Sequence, residues 1–145
     1  MKQLLDAPPR TWVFRPDERL HLPDLPVTCM LGCEVDHAAD KDWHPEDVWC
    51  QRNSPGLDIT VTEGADDTWD ASYFKVHVNR HPFSLNPALR RPYAILQAAE
   101  EQYSKVMGPD ELAELIGKFE QHVQAMKTAH AQLVAALAVY QDGGR

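Results

Sequence analysis

At 145 residues, 43% of them hydrophobic, the chain has the length of one domain and enough apolar material for a modest core, which a metal staple would strengthen. Its 22 acidic against 14 basic residues leave a formal charge of −8, which argues against nucleic acid as a partner, since a phosphate-backbone binder carries a basic face. No apolar run approaches the roughly 18 residues of a membrane span, and the N-terminus lacks the apolar core of a secretory signal, so the expected setting is the cytoplasm, with reduced thiols and no membrane association.

Residues 1–9 read as a loose arm ending in Pro8-Pro9. Thr11–Phe14, rich in aromatic and β-branched residues, reads as a short strand whose Trp12 and Phe14 pack into a core. Pro16-Asp17-Glu18 is a turn signal, and Arg19–Leu22 alternates as a return strand. Pro23 and Pro26 then carry an extended segment forward.

All three cysteines and two of the seven histidines fall within residues 29–50, spaced C-x3-C-x3-H-x6-H-x5-C. Borderline-soft Zn2+ prefers sulfur and nitrogen donors, and this stretch supplies them at short intervals, with Gly32 suited to the tight turn before Cys33. We read it as a zinc knuckle. Cys29, Cys33 and His37 are its compact ligands, and the fourth is Cys50 or His44. Cys50 is favoured, because a thiolate binds Zn2+ strongly and its use leaves no free cysteine. One disulfide with a spare thiol is the alternative, and the odd count without a signal peptide speaks against it.

After the turn Asn53–Gly56, Leu57–Thr62 alternates with Leu57, Ile59 and Val61 inward, and Tyr73–Asn79 with Phe74, Val76 and Val78 inward. Together they predict an antiparallel sheet within 57–98 with one wet face. Between them Glu63–Asp70 reads as an acidic, solvated hairpin loop without the 1-3-5 oxygen spacing of a calcium site. His77 and His81 stand about 13 Å apart on a strand, too far for one ion, and read as surface residues. Pro82–Pro87 and Arg90-Arg91-Pro92 form a connecting loop. Tyr93–Met107 is ambiguous: Ala94–Gln102 has helix propensity, with Pro92 suited to a first helical position.

Gly108 and Pro109 open a helix over 109–140, with Asp110 and Glu111 at its positive end and Gly143-Gly144 as its stop. Leu112, Ile116, Phe119, Val123, Met126, Leu133, Leu137 and Tyr140 recur at 4-3 spacing, with His130 in the remaining seam position. A helix about 48 Å long overhangs a domain of this size. The stripe on its second half therefore predicts a protein partner, through a homodimer or another helix-mediated complex. A break near Thr128, folding the helix back, is the alternative. The architecture expected is α+β in a single domain: strands and zinc knuckle in 10–50, sheet in 57–98, long helix in 109–140.

The segment Cys29-x3-Cys33-x3-His37, followed by His44-Pro45-Glu46-Asp47, resembles the head of a family of small uncharacterised proteins of actinobacteria and their phages. Members open with Cys-Pro-x-Trp-Cys-x3-His, then a His/Asp-rich turn, two or three strands and a closing helix that begins Thr/Ser-Pro-x-Glu-Ala. The order matches over roughly residues 10–125. Here Met30-Leu31-Gly32 replaces Pro-x-Trp, and Gly108–Ala113 replaces the usual helix start. The resemblance implies the fold, zinc, and a strand at about 93–98; the family has no assigned activity.

No catalytic motif is present, so the expected function is a non-enzymatic, zinc-stabilised interaction or regulatory module. Two alternatives stand beside it. One is a small zinc hydrolase, with three protein ligands, a bound water, and Glu46 or Asp47 as base. The other is an acidic phage or host-defence antagonist mimicking nucleic acid, motivated by the −8 charge and the acids of 63–70. A nucleobase deaminase is rejected, because H-x-E and P-C-x-x-C are both missing.

Overall fold

The computed structural model describes residues 9–39, 44–64 and 66–142. The expected N-terminal arm through residue 8 and the glycine stop at 143–144 lie outside the described residues. The chain is α+β and divides into two compact units, Met1–Met107 and Gly108–Arg145.

The first unit opens with a two-stranded antiparallel ribbon. β1, Thr11–Phe14, pairs with β2, Leu25–Thr28, in the register Thr11↔Thr28 to Phe14↔Leu25. The return strand is thus three residues beyond the expected segment's end, and the cause is local. The Asp17 carboxylate accepts the Arg19 amide at 2.9 Å and holds its guanidinium, closing a 3-10 turn over Glu18–Leu20. His21 then sits in the left-handed region at φ 51°, so the chain extends again only afterwards.

A four-stranded antiparallel sheet follows, in the order β3 (Cys50–Asn53), β6 (Lys75–Arg80), β7 (Tyr93–Ala99), β8 (Gln102–Tyr103). β7 lies between β6 and β8, with Tyr93, Ala94 and Leu96 buried. Pairing on both sides overrides the helix propensity of its alanines and glutamine. A single helical turn, α1 (Pro87–Arg90), interrupts the connection before it and is capped by Asn86.

The expected pairing of 57–62 with 73–79 does not occur. β4 (Leu57–Glu63) pairs with β5 (Asp67–Tyr73) in a separate ribbon, Leu57↔Tyr73 to Glu63↔Asp67. The acidic loop is therefore mostly strand. Phe74, in the left-handed region at φ 57°, kinks the chain out of the ribbon and into β6. The inward assignments change accordingly: Leu57, Ile59 and Phe74 are 55%, 42% and 41% exposed, while Val61, Val76 and Val78 are half-buried. Alternation identified one face of β4, but not whether anything covers it.

Among the described residues, the core of this unit includes two small clusters beside the buried residues of β7 and Met107. Phe14, Val27 and Val48 form one, against Leu25 and Phe83; Cys29, Met30 and Cys50 form the other, against Cys33 and Val78. Trp12 packs on both.

The second unit is α2, Pro109–Asp142, 34 residues and about 51 Å at helical rise. It starts as its sequence dictates, with Pro109 in the first turn, Asp110 and Glu111 beside it, and the Leu112 amide on the Gly108 carbonyl at 3.0 Å. The helix runs unbroken through Thr128, whose hydroxyl bonds back to the Gln124 carbonyl at 3.2 Å. On its second half the stripe residues Met126 and Leu133 are 59% and 58% exposed. No helix among the described residues is long and apolar enough to cross a membrane.

Candidate metal centre

β2 delivers Cys29, whose amide continues the ribbon by donating to the Arg10 carbonyl at 2.8 Å. The chain then turns back over Leu31-Gly32, with the Cys33 amide on the Met30 carbonyl at 3.3 Å and Gly32 at φ 76°, a conformation an L side chain would strain. His37 opens a 3-10 turn over His37–Ala39. Cys50 begins β3, opposite Arg80 of β6, and is fully buried. The Glu34 amide donates to the Gln51 carbonyl at 2.8 Å, tying the turn to β3.

These connections bring Cys29, Cys33, His37 and Cys50 together, their ligand atoms all within 4.8 Å of one another. Four donors held about 2.0–2.3 Å from one tetrahedral ion stand roughly 3.5–3.8 Å apart. Cys33 Sγ and His37 Nε2 are already 3.5 Å apart. All three thiols are free of disulfides, and Cys29, His37 and Cys50 are buried. His44 is not part of the cluster: its Nδ1 accepts the Glu46 amide at 3.2 Å and caps a 3-10 turn over Pro45–Asp47. Neither Glu46 nor Asp47 joins the cluster.

The electrostatics fit a bound cation. Burial pushes the Cys50 thiol up to about 12, partly offset by the Met30 amide, with Cys33 and Cys29 adding to the rise. Burial also pushes Cys29 up, and the neighbouring Cys33 charge adds to it. Partial burial raises Cys33 as well, but the amides of Val35 and Gln51, with His37, outweigh that and bring it down to about 7. Without a cation only one of the three thiols ionises readily; a dication deprotonates coordinating thiols outright and makes the buried cluster self-consistent.

The surroundings include residues that the sequence did not single out. The Trp12 ring stacks on His37, centroids 4.3 Å apart and planes 11° off parallel, and meets Phe14 edge-on at 6.1 Å. Core packing was the expectation for Trp12; holding a candidate ligand ring in place is an added role. Arg10 Nη2 donates to the carbonyls of Cys33 at 3.1 Å and Val35 at 2.8 Å, clamping the turn between two of the ligands. Arg80 Nη1 donates to the Thr28 carbonyl at 2.6 Å, bracing the entry to it. The period of two on β3 puts Arg52 on the same face as Cys50, a signal that was available. A cleft of about 660 Å3 runs beside β1, walled by Arg10–Val13, Arg15 and Asp36–Ala38; it reaches His37, and the thiols are not in its wall.

No curated protein and no solved structure matches the chain. A family model, described as Domain of unknown function (DUF6907), matches residues 12–135, from β1 through the knuckle and both ribbons and into the second half of α2. The match covers most of the chain, which therefore belongs to the family of this domain of unknown function.

Proposed function

We propose that the protein is a non-enzymatic interaction module, its first unit stapled by a Zn2+ ion on Cys29, Cys33, His37 and Cys50. The observation that carries this reading is the convergence of four sulfur and nitrogen donors within 4.8 Å, three of the four residues buried. A set of three thiolates and one imidazole suits Zn2+ rather than Mg2+ or Ca2+, which take oxygen ligands. Four protein ligands fill the tetrahedral shell and leave no position for a substrate.

The partner surface is the apolar stripe of α2, and its occupant is a second copy of the helix. Alanines and Val134 beside the 4-3 positions widen the stripe beyond a strict two-stranded seam, with His130 as the polar residue that sets register. The reduced thiols fit the cytoplasm, and the resemblance of the knuckle supports an actinobacterial or phage setting.

Light scattering at micromolar concentration tests the partner reading. A dimer is expected, with Leu133→Asp and Leu137→Asp each reducing it to monomer. A wild-type monomer whose two variants keep full stability and solubility refutes the helix-mediated contact.

A further inference from the structure

Three thiolates and a neutral imidazole around a dication carry one net negative charge, and this centre lies in the core of its unit. Something must balance it. In a chain with 22 acidic residues, the carboxylate partners of arginine among the described residues are Asp24 for Arg15 and Asp17 for Arg19. Arg10 and Arg80 spend guanidinium donors on backbone carbonyls around the knuckle instead. Arg52 goes further: its Nη1 is buried with no hydrogen-bond partner among the described residues. Arg52 as a whole is half-buried, but a buried guanidinium N–H left without a partner is unfavourable.

The position of Arg52 identifies the missing counter-charge. It follows Cys50 by two residues on β3 and so shares that ligand's face. Its guanidinium lies against Gly32 in the turn between Cys29 and Cys33; a Cβ built on Gly32 would stand 2.8 Å from Nη1 and 3.2 Å from Cδ. Glycine is thus required for its φ of 76°, and its missing Cβ leaves the arginine room to lie against the turn. The geometry points to Arg52 as a positioning residue of the metal centre, a half-buried cation that balances the thiolate set and braces the Cys29–Cys33 turn. This rests on the metal reading above and adds to it a residue that binds no metal.

The test compares metal-free wild type, Arg52→Gln and Arg52→Lys in titrations with Zn2+ against a chromophoric chelator, and with Co2+ read by absorption. Folding and binding are coupled at such sites, so a variant that folds only when loaded still yields an affinity. Arg52→Gln is expected to weaken Zn2+ binding by about tenfold to a hundredfold, the range for partners that orient metal ligands. It should also move the sulfur-to-cobalt charge-transfer band to longer wavelength, because the thiolates lose the cation that holds their electrons. Arg52→Lys should stay near wild type in both readouts. If both variants match wild type, or both weaken binding equally, charge balance by Arg52 is refuted. Failure of the wild-type chain to bind either metal is a separate result, and it overturns the metal reading itself.

Discussion

Phe14→Ala is the sharpest probe of how the first unit is held together. Phe14 is fully buried, packed on Val27 and Val48, edge-on to Trp12 at 6.1 Å and tilted against Phe83 at 6.0 Å. Truncating a buried Phe to Ala costs about 3–5 kcal/mol from lost transfer free energy and the cavity left behind. The two aromatic contacts contribute roughly 0.5–1.5 kcal/mol each within that figure. Total stability for a domain is about 5–15 kcal/mol, so with so few buried residues the variant should sit close to unfolding. The damage also reaches the metal centre, because Trp12 loses its edge contact and stacks less firmly on His37. The assay is urea denaturation at saturating Zn2+, followed by tryptophan fluorescence and far-UV circular dichroism, with chelator competition on the same samples. A loss under about 1 kcal/mol with unchanged metal affinity would show that the ribbon β1–β2 is not the core element described.

Cys33→Ala should abolish tight metal binding, whereas His44→Ala should cost only about 1 kcal/mol, the value of a helix cap; chelator competition separates them, and damage from His44→Ala with none from Cys50→Ala would move the fourth ligand to His44. Glu101→Gly should stabilise by about 1 kcal/mol in urea, because Glu101 is exposed in the β7–β8 turn at φ 59°, where a side chain is strained; a destabilisation contradicts the turn geometry. The Asp17 carboxyl is held down to about 2 by its side-chain and amide hydrogen bonds from Arg19. Its folded value is depressed, so its stabilisation is present above the unfolded value of 3.8 and is lost as pH falls toward 2. Carboxyl NMR titration checks this, with a smaller shift expected in high salt because the pair is exposed; a normal titration at low salt refutes the Asp17–Arg19 turn.

The Cys/His cluster was legible because its four residues are close in sequence, and cysteine and histidine at short spacing are the donors that borderline-soft metals take. The helix was legible for a similar reason: its 4-3 repeat and glycine-proline start are local signals, and the predicted 109–140 compares with Pro109–Asp142. Strand partners were not legible. β5 was hidden because its acids looked like a loop, yet Asp70 lies on the ribbon's polar face, accepting the Thr60 hydroxyl at 2.7 Å, while Trp69 and Ala71 pair with Val61 and Ile59. β2 was displaced by one side-chain event, the capture of Arg19 by Asp17. Arg10 escaped notice because it lies nineteen residues before Cys29, and Arg52 because sharing a strand face with Cys50 does not say where a long side chain ends.

The central claim is a filled four-ligand site, and X-ray absorption at the metal edge of the purified full-length chain, with elemental analysis of the same sample, tests it most directly. The account predicts about one Zn2+ per chain with three sulfur neighbours and one nitrogen, and a lowered melting temperature once a chelator removes it. Metal-free protein whose melting is indifferent to chelator contradicts the site outright. Two sulfurs, one nitrogen and a solvent oxygen would contradict its closure and put the open, hydrolytic site ahead of the closed one.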